Sequence, residues 1–219
     1  MTNMERRCSL SESAALAARD RVLSRLVGAE WPFSPLLGLL NLPPTADLLD
    51  VGAGGGRLLR TLRVQGHIGR LVGLDPQPGR SDVLVGEANA LPFEGGSFDV
   101  VTLVRVLGHL PNAQAALKEA RRVLRPGGRV VLAAHGSEHL REMWRALGSP
   151  PGGPGPEGAL RSALIQAGGV ALRLDARLPV TLAAADTAAL VTASHLEDAP
   201  QTDPPIHDTL HLTLYAARF

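Results

Sequence analysis

Short apolar runs alternate along this chain with segments in which apolar residues recur at helical spacing. A strand covered on both faces needs few polar positions, so these runs predict buried strands. They fall at 48–51, 70–75, from 82 on, 97–104, 129–135 and 170–180. Helical spacing occurs at 9–30, 35–40, 112–124, 138–147, 157–167 and 186–196. The alternation predicts an α/β fold on a mostly parallel sheet. Residues 210–219 alternate apolar and polar positions, which predicts a last, antiparallel strand exposed on one face.

The connection between the second and third predicted strands is unusually short. Only residues 77–81 separate them, and Pro78 and Gly79 disfavour a helix there. A parallel crossover that contains a helix needs about ten or more residues. We therefore predict that this helix is missing, and that one sheet face lacks its usual cover unless the N-terminal helix or a second subunit supplies it. The residues expected to lack cover are Val72, Leu74 and Leu84.

A glycine-dense turn follows the first strand and leads into a helix expected to start near Gly56. Its glycines are Gly52, Gly54, Gly55 and Gly56. Glycine permits a tight turn and close approach of a ligand, and a helix start offers free N–H groups. The spacing differs from the dinucleotide-binding pattern, because Arg57 stands at the position of the third glycine. No Gly-Lys-Ser/Thr follows, which excludes a P-loop. A turn without any ligand remains the alternative.

Carboxylates end the second and third predicted strands. Asp75 lies about twenty residues after the glycines, where an acid can accept both hydroxyls of a ribose. Glu87 can accept from an exocyclic amine, while the Ala88 N–H can donate to a ring nitrogen. The alternatives are a surface aspartate ahead of a proline turn and a solvated glutamate.

Four strings in order carry a family resemblance over about residues 46 to 135: LLDVGAGGG, VGLDP, GEANALPFEGGSFDVV and RRVLRPGGRVVLAA. They resemble the class I S-adenosylmethionine-dependent methyltransferases, most closely the type 11 group that includes the ubiquinone and menaquinone biosynthesis enzymes. The resemblance implies S-adenosyl-L-methionine as cofactor. It also implies a single Rossmann-like sheet of seven strands in the order 3-2-1-4-5-7-6, with strand 7 antiparallel.

The resemblance assigns roles to individual residues. The loop 52–56 contacts the methionine moiety, and Asp50 braces the loop or reaches the amino group through water. Asp75 holds the ribose, Glu87 and Ala88 hold the adenine, and Val104 meets the methionine end. The implied cofactor-binding residues are therefore Asp50, Gly52, Gly54, Gly55, Gly56, Asp75, Glu87, Ala88 and Val104.

The implied chemistry is direct displacement at an activated methyl group, for which alignment of the reactants matters most. A base is needed only if the acceptor arrives protonated. The candidates are His109, which matches a histidine often present in the type 11 group, and His135, which ends the fifth strand. Arg105 is either a clamp for an anionic acceptor or a surface arginine.

A metal site is not expected. His135 and His139 are four residues apart and can share a helix face, as metal ligands do. The sequence between them is not the zinc-protease pattern, and no third ligand is apparent.

Length and composition narrow the function further. A chain of 219 residues with 45% hydrophobic residues predicts one domain, 1–219. Within it the resemblance implies a helical cap (1–44), a cofactor-binding core (45–135) and a substrate side (136–219). A net charge of +1 and 3% aromatic residues favour a small-molecule acceptor over nucleic acid. With a single cysteine and neither a credible export signal nor a run long enough to span a membrane, a cytoplasmic enzyme is expected. A homodimer remains open.

Two other functions fit parts of this pattern. A non-catalytic binding protein can share the fold, because fold does not determine function. A nicotinamide-dependent dehydrogenase is disfavoured by Arg57 and by the turn at Glu87.

Overall fold

The computed structural model describes residues 3–77, 80–148, 157–194 and 202–219. Its helices are α1 (Asn3–Val27), α2 (Phe33–Leu40), α3 (Arg57–Val64), α4 (Ala113–Val123), α5 (Arg141–Ala146), α6 (Glu157–Gln166) and α7 (Ala184–Thr192), with a 3-10 helix at Leu107–His109. Its strands are β1 (Leu48–Val51), β2 (Leu71–Asp75), β3 (Leu84–Val85), β4 (Phe98–Val104), β5 (Leu124–His135), β6 (Val170–Leu182) and β7 (Ile206–Arg218). No helix in these described ranges is long and apolar enough to cross a membrane.

The seven strands form one sheet in the order β3-β2-β1-β4-β5-β7-β6, as predicted. β1 pairs in parallel with β2 and β4, and β4 pairs in parallel with β5. β7 runs antiparallel to β5. Every residue of β1 is buried, which explains why its sequence carries no surface pattern. The carboxyl ends of β1, β2 and β4 therefore lie at one edge of the sheet.

The last strand is buried, whereas the sequence predicted exposure on one face. β7 lies between β5 and β6 in the sheet, and Leu212, Thr213 and Leu214 have no exposed surface. Its alternating polar residues are accommodated by partners; the Thr213 hydroxyl donates to Asp175 Oδ1 at 2.7 Å. The exposed strand is β6 at the edge, where Val170 is 88% exposed.

The predicted absence of a helix between β2 and β3 is confirmed for residues 76–77 and 80–83, which form bends and turns; 78–79 lie outside the described residues. β3 contains only two residues and is shorter than expected. The prediction that Leu74 lacks cover is wrong, because it is buried in the same apolar cluster as Ala88 and Leu91.

Cover on the opposite face of β2 comes from the connection itself. A Cβ added at Gly73 would project towards α3 and contact Leu59 and Val83. Val83 is 4% exposed, so it fills part of the space of the missing helix. Val72 is half-buried against the core cluster. Of the three residues expected to lack cover, only Leu84, at the edge of the sheet, is exposed, with 48% of its surface accessible.

The chain divides into two compact units. The first unit contains Met1–Ser34, Ser137–Gly153 and Arg177–His211. Within it α1 contacts α7, where Arg25 forms an ion pair with Asp186 at 2.6 Å. The helix predicted from 138 begins only at Arg141, because residues 137–140 form a turn.

The second unit contains Pro35–Gly136, Pro154–Ala176 and Leu212–Phe219. It includes β1 to β5 and every candidate cofactor-binding residue. The three-part division expected from the sequence stays a prediction.

An arginine bridge joins two strands at the amino-terminal edge of the sheet in the second unit. Arg125 donates to Asp47 Oδ2 at 2.7 Å and to Asp99 Oδ2 at 2.8 Å. Asp47 precedes β1 and Asp99 lies near the start of β4. The hydrogen bond from Arg125 lowers the pKa of the Asp47 carboxyl, so the bridge persists at neutral pH. This edge is opposite the one that carries the candidate site.

Candidate cofactor-binding site

The glycine loop after β1 combines one tightly packed glycine with two open ones. Gly52 has φ +77°, and its N–H donates to the Leu74 carbonyl oxygen at 2.7 Å. A Cβ at Gly52 would overlap Val106 Cγ2, so this position is restricted by packing as well as by backbone conformation. A Cβ at Gly54 or Gly55 would meet nothing within 4 Å. These two glycines leave open space in which a ligand can reach the backbone.

Helix α3 begins at Arg57, directly after the loop, as the sequence predicted. Gly56 precedes it in the left-handed region at φ +67° and supplies no side-chain cap. The Arg60 guanidinium donates to the Gly55 carbonyl oxygen and braces the loop. The first turn of α3 adds the positive end of a helix dipole beside the open glycines.

Asp75 is fixed in the site by two backbone hydrogen bonds. Oδ2 accepts the Gly54 N–H at 2.8 Å, and Oδ1 accepts the Gln77 N–H at 2.8 Å. The residue is half-buried at the carboxyl end of β2. Each carboxylate oxygen has more than one acceptor direction, so both oxygens keep capacity for further donors such as hydroxyls.

Asp50 is a buried carboxyl group beneath the same loop. It is 4% exposed, and the Thr102 hydroxyl donates to its Oδ1 at 2.8 Å. Burial raises the pKa of Asp50 to about 7, opposed by the Thr102 hydrogen bond and assisted by the negative charge of Asp75. A cationic group placed near it would favour the charged carboxylate.

Glu87 and Ala88 lie in a turn that borders a small pocket. The Ala90 N–H donates to the Glu87 carbonyl oxygen at 3.2 Å and closes the turn. Ala88 is buried and Glu87 is exposed. The pocket is lined by Glu87, Ala88, Asn89, Leu110, Pro111, Asn112 and Ala116. Apolar walls with a carboxylate at the rim suit a flat, amine-bearing ring.

The remaining candidates lie at the ends of β4 and β5. Val104 is the last residue of β4 and is half-buried beside Ala133 of β5. Arg105 follows with φ +59°, and its N–H donates to the Ala133 carbonyl oxygen at 2.7 Å. His109 is exposed at the end of the 3-10 helix, while His135 is half-buried at the end of β5. Because β4 and β5 are parallel, their ends share one edge with Asp50 and Asp75.

The expectation that His135 and His139 share a helix face is wrong. His135 ends a strand, and His139 lies in a turn where its Nδ1 accepts the His211 N–H at 3.3 Å. In the described part of the chain, no group of three or more His, Cys, Asp or Glu side chains is arranged to hold a metal ion.

Sequence reasoning missed Thr102, the one polar residue of the run 100–104, because its pairing with Asp50 depends on the strand register. The segment 104–111 follows β4 and is expected from the sequence to border the pocket, and Leu110 and Pro111 do line it. No individual role was predicted for Val106, which packs against Gly52, or for Leu110. Both are ordinary apolar residues that are brought to the site by the path of the chain after β4.

The fold and the site together define a class of protein. A parallel sheet with a glycine loop after β1 and carboxylates after β2 and β3 is a Rossmann-like nucleoside-binding protein. The loop spacing and the turn at Glu87 differ from the dinucleotide-binding arrangement.

Comparisons with known proteins identify the family within that class. Residues 49–132 match the model described as "Methyltransferase domain", of the type 11 group. The 2-methyl-6-phytyl-1,4-hydroquinone methyltransferase of Synechocystis is 38% identical over 132 residues, which are 53% of this chain and 40% of that protein. The malonyl-(acyl-carrier protein) O-methyltransferase of Methylococcus capsulatus is 32% identical over 165 residues, or 67% of this chain and 58% of that protein. The chain thus spans about 40 to 58% of these relatives' lengths.

A solved structure is similar over most of the chain. The S-adenosylmethionine-dependent methyltransferase from Aquifex aeolicus has a TM-score of 0.59 at 18% identity and covers 95% of this chain and 98% of its own. This likeness shows the shared fold. Residues 49–132 belong to the class I S-adenosylmethionine-dependent methyltransferases of the type 11 group, as the sequence motifs predicted. The cofactor of this family is S-adenosylmethionine.

Proposed function

We propose that this chain transfers the methyl group of S-adenosylmethionine to a small-molecule acceptor. The observation that carries the proposal is the cluster formed by the open glycines, buried Asp50 and Asp75, which is pinned to the loop through the Gly54 N–H at 2.8 Å. These groups fit the cofactor, because it offers an ammonium group, a positively charged sulfur and a ribose with two donor hydroxyls.

Each part of the cofactor would contact a different group of residues. The loop 52–56 and Asp50 would hold the methionine moiety, with Val104 at its end. The free acceptor directions of Asp75 would take the ribose hydroxyls. The exposed carboxylate of Glu87 would accept from the adenine amino group, and the Ala88 N–H would donate to a ring nitrogen.

When bound, the cofactor supplies a methyl group that is already activated by the positive sulfur. The chain's own task is to bind, to orient the acceptor and to exclude water, which makes positioning its main catalytic contribution. If the acceptor carries a proton at the reacting atom, His109 or His135 would remove it at the shared edge of β4 and β5.

A small-molecule acceptor is supported by the relatives and by composition. The two relatives are named for a hydroquinone and for a malonyl group on a carrier protein. A net charge of +1 offers no broad basic field for nucleic acid. Exclusion of nucleic acid, a homodimer and a cytoplasmic location stay predictions of the sequence.

Calorimetry with three ligands tests the cofactor assignment. S-adenosylmethionine and S-adenosylhomocysteine should bind, whereas NAD should not. Asp75→Ala should weaken both by about tenfold or more, because charge-assisted hydrogen bonds to the ribose are lost. The control Glu94→Ala removes an exposed carboxylate from the loop before β4 and should leave affinity unchanged. Binding of NAD in place of both would overturn the proposal.

Transfer of a labelled methyl group tests the activity itself. Wild type should label products in an extract of small molecules that includes hydroquinones and malonyl thioesters. Asp75→Ala should lose this labelling at low donor concentration and recover part of it at high concentration. Cofactor binding with no transfer to any acceptor would favour the non-catalytic binding protein.

A further inference from the structure

The turn that carries Glu87 and Ala88 follows a short strand, and the Gly86 N–H before it donates to the Asp75 carbonyl oxygen at 3.2 Å. β3 has only two residues, and Leu84 and Val85 are 48% and 73% exposed. No helix among residues 76–77 and 80–83 supports the approach to β3. The chain that follows the turn supplies further anchors.

Helix α4 binds that following chain through two side chains. The Leu91 N–H donates to Glu119 Oε2 at 3.0 Å, and Arg122 Nη2 donates to the Leu91 carbonyl oxygen at 2.9 Å. Arg122 Nη1 also donates to the Phe93 carbonyl oxygen at 2.7 Å. Both backbone polar groups of Leu91 are thus satisfied by residues three positions apart on one helix.

Glu119 and Arg122 also hold each other in place. Arg122 Nε donates to Oε1 at 2.8 Å and Nη2 donates to Oε2 at 2.7 Å, which is the bidentate geometry that arginine favours. The hydrogen bond from Arg122 lowers the pKa of the Glu119 carboxyl, so the pair stays charged at neutral pH. These two side chains, hydrogen-bonded to each other and to the Leu91 backbone, form the Glu119–Arg122 bracket.

The same helix forms the facing wall of the pocket. Asn112 caps α4 by accepting the Ala115 N–H at 2.9 Å, and both Asn112 and Ala116 line the pocket across from Glu87. α4 therefore lines the pocket with its first turn and holds the loop with its last two. The Glu119–Arg122 bracket therefore connects the helix that lines the pocket to the chain that follows the turn.

We propose that Glu119 and Arg122 are positioning residues for the nucleobase subsite, and that they determine its preference for adenine. The inference rests on the proposed function, in which adenine binds at the turn 87–90. Glu87 and Ala88 can hydrogen-bond to the amino group and to its neighbouring ring nitrogen at the same time only if the turn is held at a fixed position relative to α4.

The test compares two arginines in matched settings. The side chains of Arg122 and Arg125 are each 40% exposed. Arg122 bridges Glu119 and two backbone carbonyl oxygens of residues 91–93, whereas Arg125 bridges the carboxylates of Asp47 and Asp99. Calorimetry measures the affinity of wild type, Arg122→Gln and Arg125→Gln for S-adenosylhomocysteine and for S-inosylhomocysteine, in which a carbonyl oxygen replaces the amino group. Thermal unfolding of each variant reports stability.

Wild type should prefer the adenine compound. Arg122→Gln should weaken its binding by about tenfold, or 1.4 kcal/mol, and should reduce the preference over the inosine compound. Arg125→Gln should lower the unfolding temperature and keep both the affinity and the preference. If Arg122→Gln does not fold, Glu119→Gln replaces it in the test. Its amide oxygen can still accept the Leu91 N–H, which favours folding, but the neutral amide no longer holds Arg122 in bidentate geometry, so the preference should fall in the same way.

Two results would separate this inference from the proposed function. Unchanged affinity and preference in folded Arg122→Gln, or equal losses in Arg125→Gln, would overturn the positioning role while leaving the cofactor assignment intact. A wild type that binds neither compound would overturn both.

Discussion

Replacing Asp50 by asparagine is expected to stabilise the protein above neutral pH while weakening its hold on S-adenosylmethionine. The asparagine oxygen can still accept the Thr102 hydroxyl, which donates to Asp50 Oδ1 at 2.8 Å. The substitution therefore removes the buried charge and preserves the size and the main hydrogen bond of the side chain. A buried ionisable side chain that lowers stability is typical of a binding site.

The magnitude follows from the pKa of Asp50, which burial raises from 3.8 to about 7. A pKa raised on folding means that the folded state holds the proton more tightly. Its contribution to stability is complete below pH 3.8 and is lost as the pH rises through about 7. At 1.36 kcal/mol per pKa unit the full loss is about 4 kcal/mol, of which about 2.5 kcal/mol falls between pH 5 and pH 8.

Urea unfolding of wild type and Asp50→Asn at pH 5 and pH 8 measures this loss. Other groups titrate equally in both proteins, so the difference between their pH dependences isolates Asp50. The variant should gain about 2.5 kcal/mol relative to wild type between the two pH values. The control Glu94→Gln, which neutralises an exposed carboxylate, should follow wild type. Parallel pH dependences for wild type and Asp50→Asn would refute the argument.

The same variant separates stability from binding. At pH 8 the wild-type carboxylate is charged and attracts the cationic cofactor, whereas asparagine carries no charge. Calorimetry at pH 8 should show weaker binding of S-adenosylmethionine by Asp50→Asn, by about tenfold. Tighter binding by the more stable variant would place the cofactor away from Asp50.

Three further predictions concern the loop and the candidate bases. Gly52→Ala should lower the free energy of unfolding by about 1–3 kcal/mol in denaturant titration, because φ is +77° and the added Cβ meets a neighbouring side chain. Gly55→Ala should leave unfolding within about 0.5 kcal/mol of wild type, since its Cβ enters open space, but should weaken S-adenosylmethionine in calorimetry. His109→Ala or His135→Ala should lower kcat about 10²- to 10⁴-fold, with cofactor affinity unchanged, at whichever histidine acts as base; unchanged kcat in both would show that neither histidine acts as base.

The buried strands followed from local patterns, whereas the order of the strands was implied by the family resemblance. β1 carries an apolar run because both of its faces are buried, and a run of that kind is visible without knowledge of its neighbours. The five residues 77–81 are too few for a crossover helix, so chain length alone predicted its absence. Burial at Leu74 was predicted wrongly, because the face on which a side chain lies depends on the register of the neighbouring strands.

The pattern of β7 shows where local reasoning fails. Alternation of polar and apolar residues normally indicates one solvated face, but Thr213 is buried and bonded to Asp175. A polar residue with a buried partner cannot be distinguished, in the sequence, from a polar residue in water. The position of β7 inside the sheet is a long-range property.

The sequence by itself determined the glycine loop and the carboxylates at 50, 75 and 87, since a close approach needs residues without Cβ and hydroxyl or amine recognition needs acceptors at strand ends. Only the tertiary structure decided what surrounds them: Thr102 beneath Asp50, Leu110 beside the turn, and the Glu119–Arg122 bracket. The chemical character of each side chain and its spacing along the chain can be read directly from the sequence. Packing brings together segments far apart in sequence, and no local pattern records which ones will meet.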